Sequence, residues 1–94
     1  MTPALNINVM SHPLRPIILA KCRDEARSPS DIAREVGASL GVVSYHVRVL
    51  ESHGLLRLVK KVPRRGATEH YYKMNAQRVD VLRERLEFMA GALG

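Results

Sequence analysis

The sequence lacks the residues that would cross-link it covalently or anchor it in a membrane. It contains one cysteine in 94 residues, which excludes an intramolecular disulfide and is typical of a protein in a reducing compartment. No apolar run approaches the roughly 18 residues that a membrane-spanning helix needs. The N-terminal segment MTPALNINVM also lacks the basic and apolar stretches of a secretory signal. The sequence therefore predicts a cytoplasmic protein without a membrane partner.

The sequence also lacks the patterns that catalysis needs. No nucleophile has a plausible base, no pair of carboxylates lies in a glycine-rich setting, and no glycine-rich loop is suited to cradling a phosphate group. We therefore expect that the protein is not an enzyme and needs no cofactor. Hydrophobic residues make up 46% of the chain, which is enough for one folded domain over residues 1–94 with a modest core.

Positive charge is concentrated in one part of the chain. The whole sequence carries a net charge of +6. Residues 44–73 contain seven lysines and arginines against two glutamates, a net +5, whereas residues 76–94 are neutral. Basic charge on one part of a small fold is typical of a protein with a polyanionic partner. The alternative is a basic surface that only keeps the protein soluble.

The middle of the chain has the spacing of a helix-turn-helix. Residues 28–37 (SPSDIAREVG) contain a capping serine, a first-turn proline, an early acidic residue and a terminal glycine, which together predict a short helix. Ser39 can cap a second helix, LGVVSYHVRVLESH, which ends at Gly54. Two helices joined by about three residues around a glycine are typical of this motif.

A basic β-hairpin is predicted after the second helix. The segments LLRLVKKV, PRRG and ATEHYYKM are typical of strand, turn and strand, with Gly66 supplying the positive φ of the turn. The tip carries four basic residues that are predicted to contact DNA: Lys60, Lys61, Arg64 and Arg65. The two tip arginines have no apolar neighbours to cover, so we expect them to hold backbone phosphates. The pattern predicts a winged helix-turn-helix, an α+β fold that is mostly helical, with a two-stranded antiparallel wing.

Helices are also predicted on both sides of this motif. Residues 3–10 can form a short helix with Leu5 and Val9 on one side, although its asparagines are poor helix formers. The segment SHPLRPIILAKCRDEA predicts another helix, whose regular part begins after His12 because Pro16 is tolerated only in a first turn.

The last segment, residues 75–93, predicts a dimerisation helix. Its apolar residues are spaced three and four apart, which is the seam of a helix that packs along a partner: Val79, Leu82, Leu86, Met89 and Leu93. Residues 76–93 are thus a predicted dimerisation helix, and residues 10–75 the DNA-binding core. The seam positions up to Met89 are candidate dimer contacts.

Helical spacing divides the second helix of the motif into two faces. The predicted inward face consists of Val43, His46, Val47 and Leu50. The candidate DNA-binding residues on the other side, with Ser44 at its edge, are Ser39, Leu40, Gly41, Val42, Ser44, Tyr45 and Arg48. Arg48 can bond a guanine edge or hold a phosphate, Tyr45 can contact phosphate or sugar, and Val42 can contact a thymine methyl group.

Three further residues have both a structural and a functional interpretation. His46 is interpreted as a core histidine rather than a metal ligand. Cys22 lies on the inward stripe of its helix, where an inert buried thiol is favoured over a redox switch or a metal ligand. Tyr72, which alternates with Tyr71 along its strand, is predicted to pack in the core.

Residues 10–15 (MSHPLR), the run SPSDIAREVGASLGVVSYHVRVLESHGLL and the run RRGATEHYYKM together resemble the ArsR/SmtB-type winged-helix regulators of bacteria. The resemblance covers roughly residues 10–75. It implies a homodimer in the bacterial cytoplasm, associated with the nucleoid, that binds a palindromic operator in double-stranded DNA, usually as a repressor. It also implies that the first and last helices, residues 3–10 and 76–93, form the dimer interface, with Leu5 and Val9 as further candidate contacts.

The sequence departs from that family where metals are bound. Many members sense metals through two cysteines at the start of the helix before the recognition helix, and those places resemble Ser28 and Ser30 here. Others use histidine and carboxylate ligands on the terminal helix, which has no histidine in this chain. We therefore expect a repressor without the usual metal site of the family.

Two other functions are compatible with the same residues. A winged-helix module that binds an acidic protein would use the same basic surface, and a redox- or metal-responsive repressor would use Cys22. The basic tip of the hairpin favours DNA over an acidic protein.

Overall fold

The computed structural model describes residues 7–93 and consists there of five helical elements and one hairpin. A 3₁₀ helix comes first, and the hairpin, here called the wing, comprises two strands. The elements are the 3₁₀ helix Ile7–Met10, α1 Leu14–Lys21, α2 Pro29–Val36, α3 Leu40–Ser52, β1 Leu56–Arg64, β2 Ala67–Met74 and α4 Ala76–Leu93. The two strands pair antiparallel. This is the predicted winged helix-turn-helix fold.

The first helices follow from the placement of proline. α1 begins at Leu14, so Pro16 occupies the third helical position, where the amide has no partner within the helix. The prediction of a regular helix after His12 is confirmed. The predicted helix over residues 3–10 is a 3₁₀ helix within the described residues, and Leu5 lies outside them.

Both helices of the motif begin at serines that satisfy free backbone amides. The backbone N–H of Asp31 donates to Ser28 Oγ at 3.1 Å, and the Asp31 carboxylate accepts from the Ser28 amide at 3.4 Å. This reciprocal pair is a capping box. Ser39 Oγ accepts from the amide of Val42 at 3.2 Å. Gly37 ends α2 with a φ of 70°, a left-handed conformation that glycine adopts at low cost.

One apolar cluster joins the helices to the base of the wing. α3 contributes the predicted inward face, in which Val43, His46, Val47 and Leu50 are all buried. The other buried members are Val9, Ile18, Leu19, Cys22, Ile32, Ala33, Leu55, Leu56, Tyr72 and Leu82. Fully burying a leucine or isoleucine contributes roughly 1.5–3 kcal/mol, so this face holds α3 in one orientation and leaves its opposite side exposed.

The wing is tied to the helices at its base and irregular along one strand. Arg27 and Tyr72 exchange backbone hydrogen bonds of 2.9 and 2.8 Å, which attach β2 to the loop before α2. Tyr72 is buried, as predicted, and Tyr71 is half-buried. The pairing register shifts between Leu58 and Lys60, and such a bulge bends a hairpin and increases its twist. Gly66 at the tip has a φ of 68°.

α4 begins in the core and ends away from it. The amide of Arg78 donates to Asn75 Oδ1 at 3.3 Å, which caps the helix as predicted. Leu82 is buried, whereas every described side chain after it, up to Ala92, is exposed. No helix within residues 7–93 is long and apolar enough to cross a membrane.

Candidate nucleic-acid interface

The outward side of α3 carries all the candidate residues predicted there. Ser39, Gly41, Tyr45 and Arg48 are exposed, and Ser44 is half-buried at the edge of the face. Leu40 and Val42 are 52% and 45% exposed. α3 therefore presents its N-terminal two turns to solvent as one continuous surface.

A groove of about 650 Å³ separates this surface from the wing. α3 contributes Leu40, Ser44 and Arg48 to its lining, and the wing contributes Arg64, Glu69 and His70. Pro29 and Ser30 at the start of α2 form its end. We call this the α3–wing groove. It brings two arginines from distant parts of the sequence to one depression, where Glu69 pairs with Arg64, while Arg48 has no ion-pair partner among residues 7–93 and can attract an anionic ligand.

Arg64 is held by a hydrogen-bonded network on the wing. Its Nε donates to Glu69 Oε2 at 2.9 Å, and its Nη2 donates to the Tyr71 hydroxyl at 3.2 Å. The hydrogen bond from Arg64 is the main reason that the pKa of Glu69 lies below its ordinary value. Arg64 therefore has polar neighbours on the wing, and Glu69 offsets part of its charge, whereas its contact with phosphate stays a prediction.

Glu69 also connects the wing to α2. Its Oε1 accepts a hydrogen bond of 3.1 Å from Ser28 Oγ, which at the same time caps α2. Ser28 is fully buried, so a substitution that removed this hydroxyl would leave an amide and a carboxylate short of a partner. Glu69 was not predicted from the sequence. Its place two residues beyond the cross-strand neighbour of Arg64 could have indicated the contact, because such diagonal neighbours on a hairpin are within reach of long side chains.

The remaining basic candidates of the wing are exposed. Lys60 Nζ lies 4.7 Å from the centroid of the Tyr71 ring, a cation–π contact. Lys61 and Arg65 are exposed, and Arg65 has no ion-pair partner among residues 7–93. Arg65 therefore carries an unpaired charge at the tip, whereas Arg64 is paired with Glu69.

His46 lies directly beneath the exposed face of α3. Its Nδ1 accepts a hydrogen bond of 3.0 Å from Arg15 Nε, which requires a neutral ring with its proton on Nε2. The ring lies 4.2 Å from that of His12 and 5.2 Å from that of Tyr45, between centroids. Burial, reinforced by His12 and Arg15, lowers the pKa of His46. The interpretation as a core histidine with satisfied partners is confirmed. Arg15 also donates to the Val9 carbonyl at 3.0 Å, which connects the 3₁₀ helix to α3.

Acidification is expected to destabilise the fold through His46. Because its pKa is lowered from 6.5 in the folded state, the unfolded chain binds more protons between the two values. The stabilisation is present above pH 6.5 and is lost as the pH falls to the folded-state pKa. Urea denaturation between about pH 7.5 and pH 5 measures this loss. The free energy of unfolding should fall less in His46→Gln, and an identical fall in both proteins would contradict the assignment.

Cys22 directly follows α1 and is fully buried, as predicted. Burial raises the pKa of its thiol to about 11, although Arg27 acts in the opposite direction. The thiol is therefore protonated at neutral pH, and a protonated thiol is a poor nucleophile and metal ligand. Within residues 7–93, no three or more histidine, cysteine or acidic side chains come together as metal ligands would.

The candidate dimerisation residues separate into buried and exposed groups. Val9 and Leu82 lie in the core of the single chain, which leaves little of either side chain for a partner, and their place in a dimer interface stays a prediction. Val79 is half-buried, and Leu5 lies outside the described residues. Leu86 is 42% exposed, and the other exposed apolar side chains of α4 are Val81, Phe88 and Met89. Phe88, at 77% exposure, was missed because it lies off the predicted stripe.

One family model matches part of the sequence, and solved structures of other proteins are similar to the fold over most of the chain. Residues 10–59 match the model of a helix-turn-helix domain family. An ArsR-like transcriptional regulator from Rhodococcus sp. RHA1 has 24% identity and a TM-score of 0.68, with 90% of this chain and 76% of that chain covered. No curated protein sequence matches this chain.

Two other solved structures have the same fold. A homodimeric winged helix-turn-helix DNA-binding domain from Mycobacterium bovis, described as a possible ArsR-family transcriptional regulator, has 18% identity and a TM-score of 0.67, with 93% and 77% of the two chains covered. HlyU from Vibrio cholerae, in its reduced form, has 18% identity and a TM-score of 0.66, with 82% and 77% covered.

Proposed function

Because this chain belongs to the helix-turn-helix domain family, we propose that it is a transcriptional regulator that binds double-stranded DNA as a homodimer and acts as a repressor. The observation that carries this proposal is the α3–wing groove. There the exposed face of a capped recognition helix and the basic wing lie side by side. In such proteins the N-terminal turns of the second helix contact base edges in the major groove.

Each candidate residue then has a role that fits its position. Arg48, two turns into α3, reaches a guanine edge or a phosphate, and Tyr45 contacts phosphate or sugar. Ser39 and the first amides of α3 face a phosphate, because a helix N-terminus favours anions. Lys60, Lys61 and the tip arginines hold the backbone beside the helix.

The exposed end of α4 supports a dimer. Leu86 and Met89 lie on the predicted stripe and form an apolar surface that a single chain leaves open to water, and such surfaces mark interfaces. The similar domain from Mycobacterium bovis is described as homodimeric. A two-fold dimer would present two α3 helices to successive major grooves about 34–36 Å apart, which requires a palindromic site.

Two residues support the proposal that this regulator does not have the metal site that is usual in the family. Ser28, where metal-sensing relatives have a thiolate, is buried and already serves α2 and Glu69. Cys22 is buried as a protonated thiol. Neither residue is placed to bind a soft metal ion at neutral pH.

Selection of bound fragments from genomic DNA with the purified protein, at one stated salt concentration, tests the proposal. We expect enrichment of a two-fold symmetric motif, because a dimer addresses two identical half-sites. A protein that enriches no motif, but binds acidic proteins through the same basic surface, would overturn the proposal in favour of a protein-interaction module.

Arg65→Ala is expected to flatten the slope of log affinity against log salt concentration by up to about 2 units. Each phosphate contact contributes about 0.9 to that slope, and a dimer loses one contact from each wing. Arg64→Ala should change the slope less, because Glu69 already neutralises Arg64. Titrations of one duplex at several salt concentrations compare the three proteins. Identical slopes for Arg65→Ala and wild type would mean that the wing points away from DNA.

A further inference from the structure

The first turn of α3 presents apolar side chains where base-reading residues are expected. Leu40 and Val42 are 52% and 45% exposed, and the core does not use either of them. The residue between them is Gly41, so positions 40–42 offer no side-chain hydrogen-bond donor or acceptor. The turn is continuous with the α3–wing groove, which Leu40 lines together with two arginines.

Gly41 is not required by the fold. A Cβ atom at this position would meet nothing within 4 Å. The positive φ values occur elsewhere among the described residues, at Gly37, Gly54 and Gly66. A glycine inside a helix is less favourable than alanine. Gly41 therefore leaves the helix backbone uncovered between Leu40 and Val42, so that another molecule can approach the helix closely.

The major groove of DNA offers one apolar group on the edges of its unmodified bases, the C5-methyl group of thymine. We propose that the first turn of α3 reads thymine methyl groups. Leu40 and Val42 contact the methyl groups, and Gly41 lets the helix backbone come close to the base edges. The operator half-site therefore contains thymines opposite this turn, followed by the bases that Tyr45 and Arg48 contact. This inference rests on the proposed function.

Replacing single thymines of the selected operator by deoxyuridine tests the inference, because uracil keeps the hydrogen-bonding groups and lacks only the methyl. At one or two positions in each half-site, we expect about a fourfold loss of affinity per methyl group, the factor that corresponds to burying one CH₂ group. Replacements outside the half-sites should have no effect. Equal affinity for every uracil-substituted duplex would overturn the inference, while continued specific binding of the operator would leave the proposed function standing.

Protein variants show which side chain contacts each methyl group. Val42→Ala and Leu40→Ala should bind the thymine duplex more weakly, and each should lose its sensitivity to uracil at one position. Ile17→Ala is the matched control, because Ile17 is 43% exposed on α1, outside α3. It should keep wild-type affinity and sensitivity. If both α3 variants kept full sensitivity to uracil, the contact would belong to other residues and the inference would be wrong.

Gly41→Ala separates recognition from folding. The variant should melt at a higher temperature than wild type, because alanine favours a helix and meets no obstacle here. It should bind the operator more weakly, because the added methyl group holds the helix away from the bases. If the variant were more stable and bound the operator as tightly as wild type, the proposed close approach of the helix backbone to the bases would be wrong.

Discussion

Leu86→Asp is expected to convert the proposed dimer into monomers and to lower operator affinity by about 100-fold or more. Leu86 lies in the exposed apolar part of α4, and a carboxylate there would have to lose its hydration inside the interface. A monomer contacts one half-site, so it also loses the gain from binding two linked half-sites, which is commonly 10²- to 10⁴-fold.

Mass measurement by light scattering at micromolar concentration, together with operator titration, tests this prediction. Ile17→Asp is the control, because it places the same charge at a comparably exposed apolar position on α1. It should remain dimeric and bind DNA. Met89→Asp, at a similarly exposed position on the same stripe of α4, should act like Leu86→Asp. An unchanged mass for both α4 variants would place the interface elsewhere.

Arg48→Ala is expected to weaken specific binding by about 1–3 kcal/mol per half-site if Arg48 reads a guanine edge. The fold should keep its stability, because Arg48 is exposed on α3. Affinity for random DNA should fall much less, because a base contact contributes little where the base is wrong.

Titrations with the operator and with random duplexes of equal length give the comparison. Arg57→Ala is a suitable control, because Arg57 is also exposed but lines a separate depression at the base of the wing. Equal losses on both kinds of DNA would identify Arg48 as a phosphate contact. A large loss for Arg57→Ala would mean that DNA lies along a different side of the wing.

The sequence predicted those parts of the fold that depend on neighbouring residues. Ser28, Pro29 and Gly37 act within one or two turns, so the ends of α2 could be predicted without tertiary information. The inward face of α3 could also be predicted, because the spacing of Val43, Val47 and Leu50 directly reflects which side of a helix is buried.

Such local patterns could not predict contacts between segments that are distant in the sequence. Glu69 meets Ser28 across 41 residues, and Arg15 meets His46 across 31. Both contacts depend on how the wing and α1 pack against the motif. Leu82 follows the same heptad spacing as Leu86, but it is buried in the chain's own core. Periodicity finds an apolar side of a helix and does not say which molecule covers it.

The buried thiol of Cys22 can be used to measure how often the core opens. Cys22 is the one cysteine of the sequence and is fully buried between α1 and its neighbours. A thiol-specific dye can therefore label the native protein only during moments when the core opens, and its labelling rate measures how often that happens. Ligands that bind only the native state slow such openings, so the dye reports binding with no engineered label.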